Sequence, residues 1–139
     1  MRRAFVFVAT LCVCACDGAE RRDAETVVAA VTRFRTADNT STPAMVDALK
    51  ATPCAAADAC RTRDVCIASG DATARALRLK AEVEKSLAEL EKGTLPKESA
   101  EAQALPKKLD DAQKLLEQGH DGLPRCDEEV QALRRKHRI

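Results

Sequence analysis

From residue 23 onward, apolar residues recur at the three- and four-residue spacing of an α-helix. Ala24, Val27, Val28, Val31 and Phe34 fall on one face and predict a first helix over residues 23–37. No stretch alternates with period two and no β-branched run occurs, so no strand is predicted. Asn39-Thr40-Ser41-Thr42-Pro43 reads as a loop. Thr42 is placed to cap a short helix over 43–50, with Pro43 at its first position and Met45 and Leu49 turned inward. Thr52-Pro53 interrupts the chain again. A helix over 56–69 follows, with Ala59, Cys60, Cys66 and Ile67 in one arc and Arg63 among them. Gly70 reads as its stop and Asp71 as the cap of the next helix.

The strongest pattern comes next. Ala72, Ala76, Leu79, Val83, Leu87 and Leu90 make a narrow stripe over residues 72–92, while Lys80, Glu84, Lys85 and Glu89 alternate in charge on the other faces. Gly93-Thr94-Leu95-Pro96 turns the chain. Ala102, Leu105, Leu109, Ala112 and Leu116 repeat the stripe over 97–118, with Pro106 expected to kink that helix or split off its first turn. Gly119-His120-Asp121-Gly122 reads as another turn. A last helix over 124–138 points Cys126, Val130, Leu133 and His137 one way. The fold class is therefore all-α: a small up-and-down helical bundle built on a central antiparallel hairpin.

Composition qualifies this picture. Hydrophobic residues are 45% and charged residues 32% of 139, a globular balance. Yet 26 of the apolar residues are alanine, and Phe5, Phe7 and Phe34 are the only aromatics. Alanine buries little area, so the core is expected to be thin and to need cross-links or a partner.

The first residues follow a different rule. Arg2-Arg3 precede the uncharged apolar run Ala4 to Ala15, and Asp17 ends it. This is the layout of an export signal, and it is too short to span a bilayer, which takes about 20 apolar residues. Val13-Cys14-Ala15-Cys16 resembles the lipobox of bacterial lipoproteins, in which an aliphatic, a tolerant and a small residue precede the modified cysteine. The rival register, Leu11-Cys12-Val13-Cys14, places Val13 where a small residue is wanted. The resemblance implies cleavage before Cys16, acylation of that cysteine, and anchoring to the inner or outer membrane with the domain on the extracytoplasmic side. Asp17 resembles an inner-membrane retention signal. The expected organisation is a signal peptide over 1–15, a lipidated tether over 16–22 and a helical domain over 23–139. Net charge is +1, and losing Arg2 and Arg3 leaves −1, so no global attraction to nucleic acid follows. The part after the signal resembles small cysteine-containing helical lipoproteins.

With Cys12 and Cys14 in the signal and Cys16 lipidated, Cys54, Cys60, Cys66 and Cys126 remain. An even number in an exported chain implies two disulfides, and four cysteines permit three pairings. Helix geometry favours one of them. The hairpin returns residues 119–122 to the neighbourhood of Gly70, which sets Cys126 beside Cys66 and leaves Cys54 for Cys60. Zinc sites space their cysteines two to four apart, and the first three of these are six apart, so neither metal nor cofactor is expected.

Catalytic constellations are missing. His120 falls in a turn and His137 on an apolar face near the chain end. Glu82, Glu84, Glu89, Glu91, Asp110, Asp111, Glu128 and Glu129 fall on polar helix faces as solvation and i,i+4 pairs. The basic end, Arg134-Arg135-Lys136-His137-Arg138, suits a helix C-terminus and alternatively anionic headgroups. The expectation is a non-enzymatic, lipid-anchored module that contacts another envelope protein, through a helix face around Leu77, Ala81 and Ala88. A small-ligand binder with a cavity between helices is the alternative. Cys16→Ser is expected to abolish metabolic labelling with palmitate, whereas Cys14→Ser leaves it intact; the reverse result moves the anchor to Cys14.

Overall fold

The computed structural model describes residues 14–139, with side chains from residue 18 onward. Four helices carry nearly all of it: α1 (Cys14–Thr36), α2 (Thr42–Ala51), α3 (Ala57–Glu91) and α4 (Ala100–His137). The chain is all-α, as the periodicity required, and no strand occurs among the described residues.

Two boundaries differ from the expected ones for local reasons. Residues 16–22, expected as a tether, are helical in α1. Arg21 pairs with Glu25 one turn on (3.1 Å), and Asp23 is bound to the chain before α3. At α2, Thr42 lies inside the helix and the N-cap is Ser41, whose side chain makes no cap bond. The cap falls instead to Asp38, whose carboxylate accepts from Ser41 N–H (2.7 Å) and Ser41 Oγ (2.8 Å). These bonds, the backbone one first, hold the Asp38 pKa below its ordinary value.

Larger corrections concern the glycines and prolines. The expected breaks at Gly70, at Gly119 to Gly122 and at Pro124 do not occur; α3 and α4 run straight through them. Pro106, expected to kink α4 or split off its first turn, also lies inside that helix. These glycines act through their lack of a side chain rather than through backbone freedom. A Cβ on Gly70 would lie 3.1 Å from Val46 and 3.2 Å from the Phe34 ring, so α1 and α2 close onto α3 there. A Cβ on Gly122 would lie 2.9 Å from Ser69 Cβ, and one on Gly119 would meet Thr73 and stand 3.2 Å from the Ser69 carbonyl oxygen. The two long helices therefore touch backbone to side-chain stub. Ser69 Oγ donates to Gly119 O (2.5 Å) at the contact. Gly93, with φ +73°, is the glycine that serves a turn, the one between α3 and α4.

Antiparallel register follows down the hairpin: Cys66 with Cys126, Ser69 with Gly119, Glu82 with Lys108, Ser86 with Glu101. Ser99 caps α4 by accepting from Ala102 N–H (3.2 Å). Helix α1 lies along one end of this hairpin. Asp23 reaches Ala55 and Ala56, Phe34 reaches Gly70, and Arg35 pairs with Asp127 (3.2 Å). Helix α2 is fastened to α3 by the ion pairs Arg78–Asp47 (2.6 Å) and Lys50–Asp71. Exposed pairs of this sort contribute at most about 1 kcal/mol each, so burial decides the packing.

The core occupies one half of the molecule. Ala24, Val27, Val28, Ala30, Val31 and Phe34 of α1 supply most of it, with Val46, Leu49, Ala59, Cys66, Ala74, Cys126 and Leu133. No member of this cluster, buried or packed against it, lies between Ala74 and Leu123. The result is a four-helix base from which the far half of the α3–α4 hairpin projects as a two-helix arm. At 1.5 Å per residue, α3 is about 50 Å long. The arm is held by a thin seam of small and medium side chains: Ala76, Val83, Ser86, Leu105 and Ala112 are buried in it.

Gly119→Val tests the close approach, because a β-branched residue has no helix-propensity gain large enough to offset the clash. It is expected to lower unfolding stability by about 2 kcal/mol or more, measured by denaturant titration.

Candidate functional site

Two regions stand out, one at each end of the rod. The first is the arm. Leu87, Leu109 and Leu116 were expected inside the hairpin seam, and they are instead 43%, 47% and 37% exposed. The reason is geometric. With alanine, serine and glycine at the contact, α3 and α4 come close, and a tight pair of helices covers only a narrow strip of each. Leucines one step off the strip stay in water. On α4 they belong to a run at every seventh residue: Ala102, Leu109, Leu116, Leu123 and Val130. Leu123 and Val130 pack against the core cluster that α1 dominates. Helix α1 stops at Thr36, so the same stripe continues uncovered along the arm. Ala102, Leu109 and Leu116 belong to the stripe read from the sequence, which stopped at the turn expected after residue 118. Where its cover ends was not visible there.

The face expected to bind, around Leu77, Ala81 and Ala88, is less open. Leu77 and Ala88 are partly buried and only Ala81 is exposed. Leu77 and Ala81 line a groove of about 390 Å³ beside Pro43 and the α1–α2 loop.

The second region is the opposite end, where the N-terminal part of α1, the start of α3 and the end of α4 meet. The start of α3 has no capping side chain of its own; Ala56 is its N-cap. Asp23 of α1 supplies the missing acceptor, taking the N–H groups of Ala55 (2.7 Å) and Ala56 (2.6 Å). The Cys54–Cys60 disulfide closes the same turn, with Cα atoms 5.3 Å apart. Arg63 Nη1 donates to Thr52 O (2.9 Å) and holds the segment before it. Cys66–Cys126, with Cα atoms 4.7 Å apart, ties α3 to α4 in the core. Both pairings are those that helix geometry favoured.

Asp58 sits in the first turn of α3 and draws in the end of α4. Lys136 Nζ donates to Asp58 Oδ2 (2.6 Å), and His137 Nε2 donates to the same oxygen (2.8 Å). Ala59 N–H donates to Oδ1 (2.9 Å). Burial works to raise the Asp58 pKa, but the bonds from Lys136, His137 and Ala59 outweigh it and hold the carboxyl well below its ordinary 3.8. The hydrogen bond to Asp58 in turn raises the Lys136 pKa. The His137 side chain is 7% exposed, so the packed reading of that residue holds, and the partner that sequence reasoning missed is Asp58. A pairing 79 positions apart left no trace in local spacing. The cluster joins the first turn of α3 to the last turn of α4 as a helix-end clasp.

The other residues singled out from the sequence are dispersed. His120 is exposed on α4, inside the helix rather than in a turn. The carboxylates expected on polar faces form surface pairs: Glu84 with Lys80, Glu89 with Lys85, Asp111 with Lys107, Glu82 with Lys108 and Glu129 with Arg61. Glu91, Asp110 and Glu128 are exposed without such a pair among the described residues. No group of three or more metal-ligating side chains occurs among the described residues, and none of their helices is long and apolar enough to cross a membrane. A groove of about 730 Å³ runs between α3 and α4 beside Cys60, Arg61, Gly122 and Arg125, open to the surface along its length. Residues 1–13 of the signal read over 1–15, the side chains of its last two residues and the Cys16 side chain lie outside the described residues.

Asp58→Asn removes the charge that holds Lys136 and His137. At pH 7 it is expected to lower stability by about 1–3 kcal/mol, the scale of hydrogen bonds to a charged group. Because the folded-state pKa of Asp58 is depressed, its contribution is complete above the ordinary 3.8 and is lost as the pH falls below that value. Urea unfolding of both proteins at pH 7 and near the acid end checks this: the two curves are expected to converge in acid.

No protein-family model, curated protein or solved structure matches this chain.

Proposed function

We propose that this protein is a lipid-anchored, non-enzymatic module of the bacterial cell envelope, and that its projecting hairpin is a docking arm for a helix of another envelope protein. The observation that carries the docking reading is the α4 stripe. Near α1, Leu123 and Val130 are partly buried and pack against the core; past the end of α1, Leu116 and Leu109 stand open, and Leu87 of α3 is exposed as well. A helix laid in line with α1 would complete the same packing. The leucines are part of one continuous seam rather than scattered surface residues, which are ordinary and call for no explanation. Support for the anchor comes from the Val13-Cys14-Ala15-Cys16 motif behind its uncharged run. Two disulfides suit an exported chain.

Photo-crosslinking residues placed at Leu87, Leu109 and Leu116 in the intact envelope test the arm. One adduct of a single mass at those three positions, absent when the probe replaces Lys85 or Asp110, is the expected result. No adduct at the leucines, or the same adducts at every position, overturns the docking reading.

A further inference from the structure

We infer that the end of the bundle opposite the arm is a foot that rests on anionic phospholipid headgroups through Arg134, Arg135 and Arg138. The inference takes its direction from the anchor proposed at Cys16, and takes the contact itself from the charges of the folded bundle.

Topology brings the two together. Helix α1 runs antiparallel to α4: Arg35 pairs with Asp127 at one level, and at another Asp23 binds the residues just before α3, whose first turn holds Lys136 through Asp58. The N-terminal turns of α1, where the acylated residue would enter the bilayer, therefore lie at the same end as the last turn of α4. The tip of the arm, at Gly93, is at the other.

The clasp on Asp58 sorts the charges of that last turn. Lys136 and His137 both bind Asp58 of α3. Arg134 and Arg135 in the last turn and Arg138 at its cap are exposed, and none forms an ion pair among the described residues. The neighbouring carboxylates are engaged elsewhere: Asp23 on the backbone before α3, Glu25 with Arg21, Glu129 with Arg61, Asp58 with Lys136. Among the described side chains, Glu20 and Glu128 remain as opposing charges, against three arginines and the exposed Arg22. A guanidinium offers a planar fork of donors that fits phosphate oxygens. A surface of anionic lipid attracts such side chains over roughly one Debye length, which the anchor would keep them within. A helix C-terminus alone would be served by any one of these cations.

The test uses the full protein purified from its membranes. The mass of the peptide containing residue 16 is recorded first. The protein is then reconstituted in phosphatidylcholine vesicles, with and without about 30 mol % phosphatidylglycerol, a typical anionic surface. Arginine modification by phenylglyoxal is followed peptide by peptide. Slowing of about fivefold at Arg134, Arg135 and Arg138 is expected in the anionic vesicles alone, the scale of one headgroup contact per arginine. High salt should reverse it, and Arg33 and Arg75 should react equally in both vesicles. Free inorganic phosphate in place of phosphatidylglycerol should give no protection; protection by phosphate alone would mean a small-anion site instead. Equal rates at the three arginines in both vesicles overturn the inference. An unmodified residue 16 overturns the anchor and not the foot, because the three arginines would still be protected on the vesicles the chain floats with.

Discussion

Everything in this fold depends on how closely α3 can approach α4 near Ser69. Gly119 and Gly122 leave no side chain in the gap, and Ser69 fills it with a hydroxyl that donates to the Gly119 carbonyl. The contact fixes the register of two helices that together hold more than half of the described residues. One turn away, that register brings Cys66 to Cys126, and the disulfide makes it permanent. Sixty positions separate the two cysteines, so the cross-link also removes a large share of the unfolded chain's freedom, about 4 kcal/mol by loop-entropy arguments. A core whose most buried residues are mainly valine and alanine has need of it.

The same closeness divides the rod into two unequal halves. In the base, α1 and α2 wrap the hairpin and bury the single phenylalanine of the described residues against Gly70. In the arm there is no third helix, and small residues at the seam cannot cover the leucines beside it. Tight packing and exposed leucine are thus one property seen from two sides. The opposite end depends on a comparable division of labour. Asp58 collects two of the basic groups of α4 and leaves the arginines outward, while Asp23 and Cys54–Cys60 fix the turn on which Asp58 stands. Structural bonds at that end determine which charges remain exposed.

Much of this could be read directly from the chain. The periodicity of Ala24 to Phe34 identified the face that α1 buries, and all five residues named there are in the core. The spacing of the long stripes gave the antiparallel hairpin, and its geometry singled out the disulfide pairing from three. The reading failed where one residue type has two physical uses. In the sequence Gly70, Gly119 and Gly122 read as helix stops because glycine is conformationally free, whereas in the fold they serve as gaps for a neighbouring helix. Pro124 likewise lies within α4, two residues before the cysteine that ties the helix to α3, and a helix fixed there by a disulfide and farther on by the clasp tolerates one missing N–H.

What the sequence determined by itself is the class of fold, the cross-links and the lipobox-like motif before Cys16, because periodicity, cysteine count and a short motif are local properties. Only the tertiary structure decided which leucines stay wet, which cations are spent on Asp58, and that the basic tail and the start of α1 share one end. Those follow from how near two helices come and where a third one stops. Such distances are set by side chains tens of positions apart, and no window along the chain contains both partners.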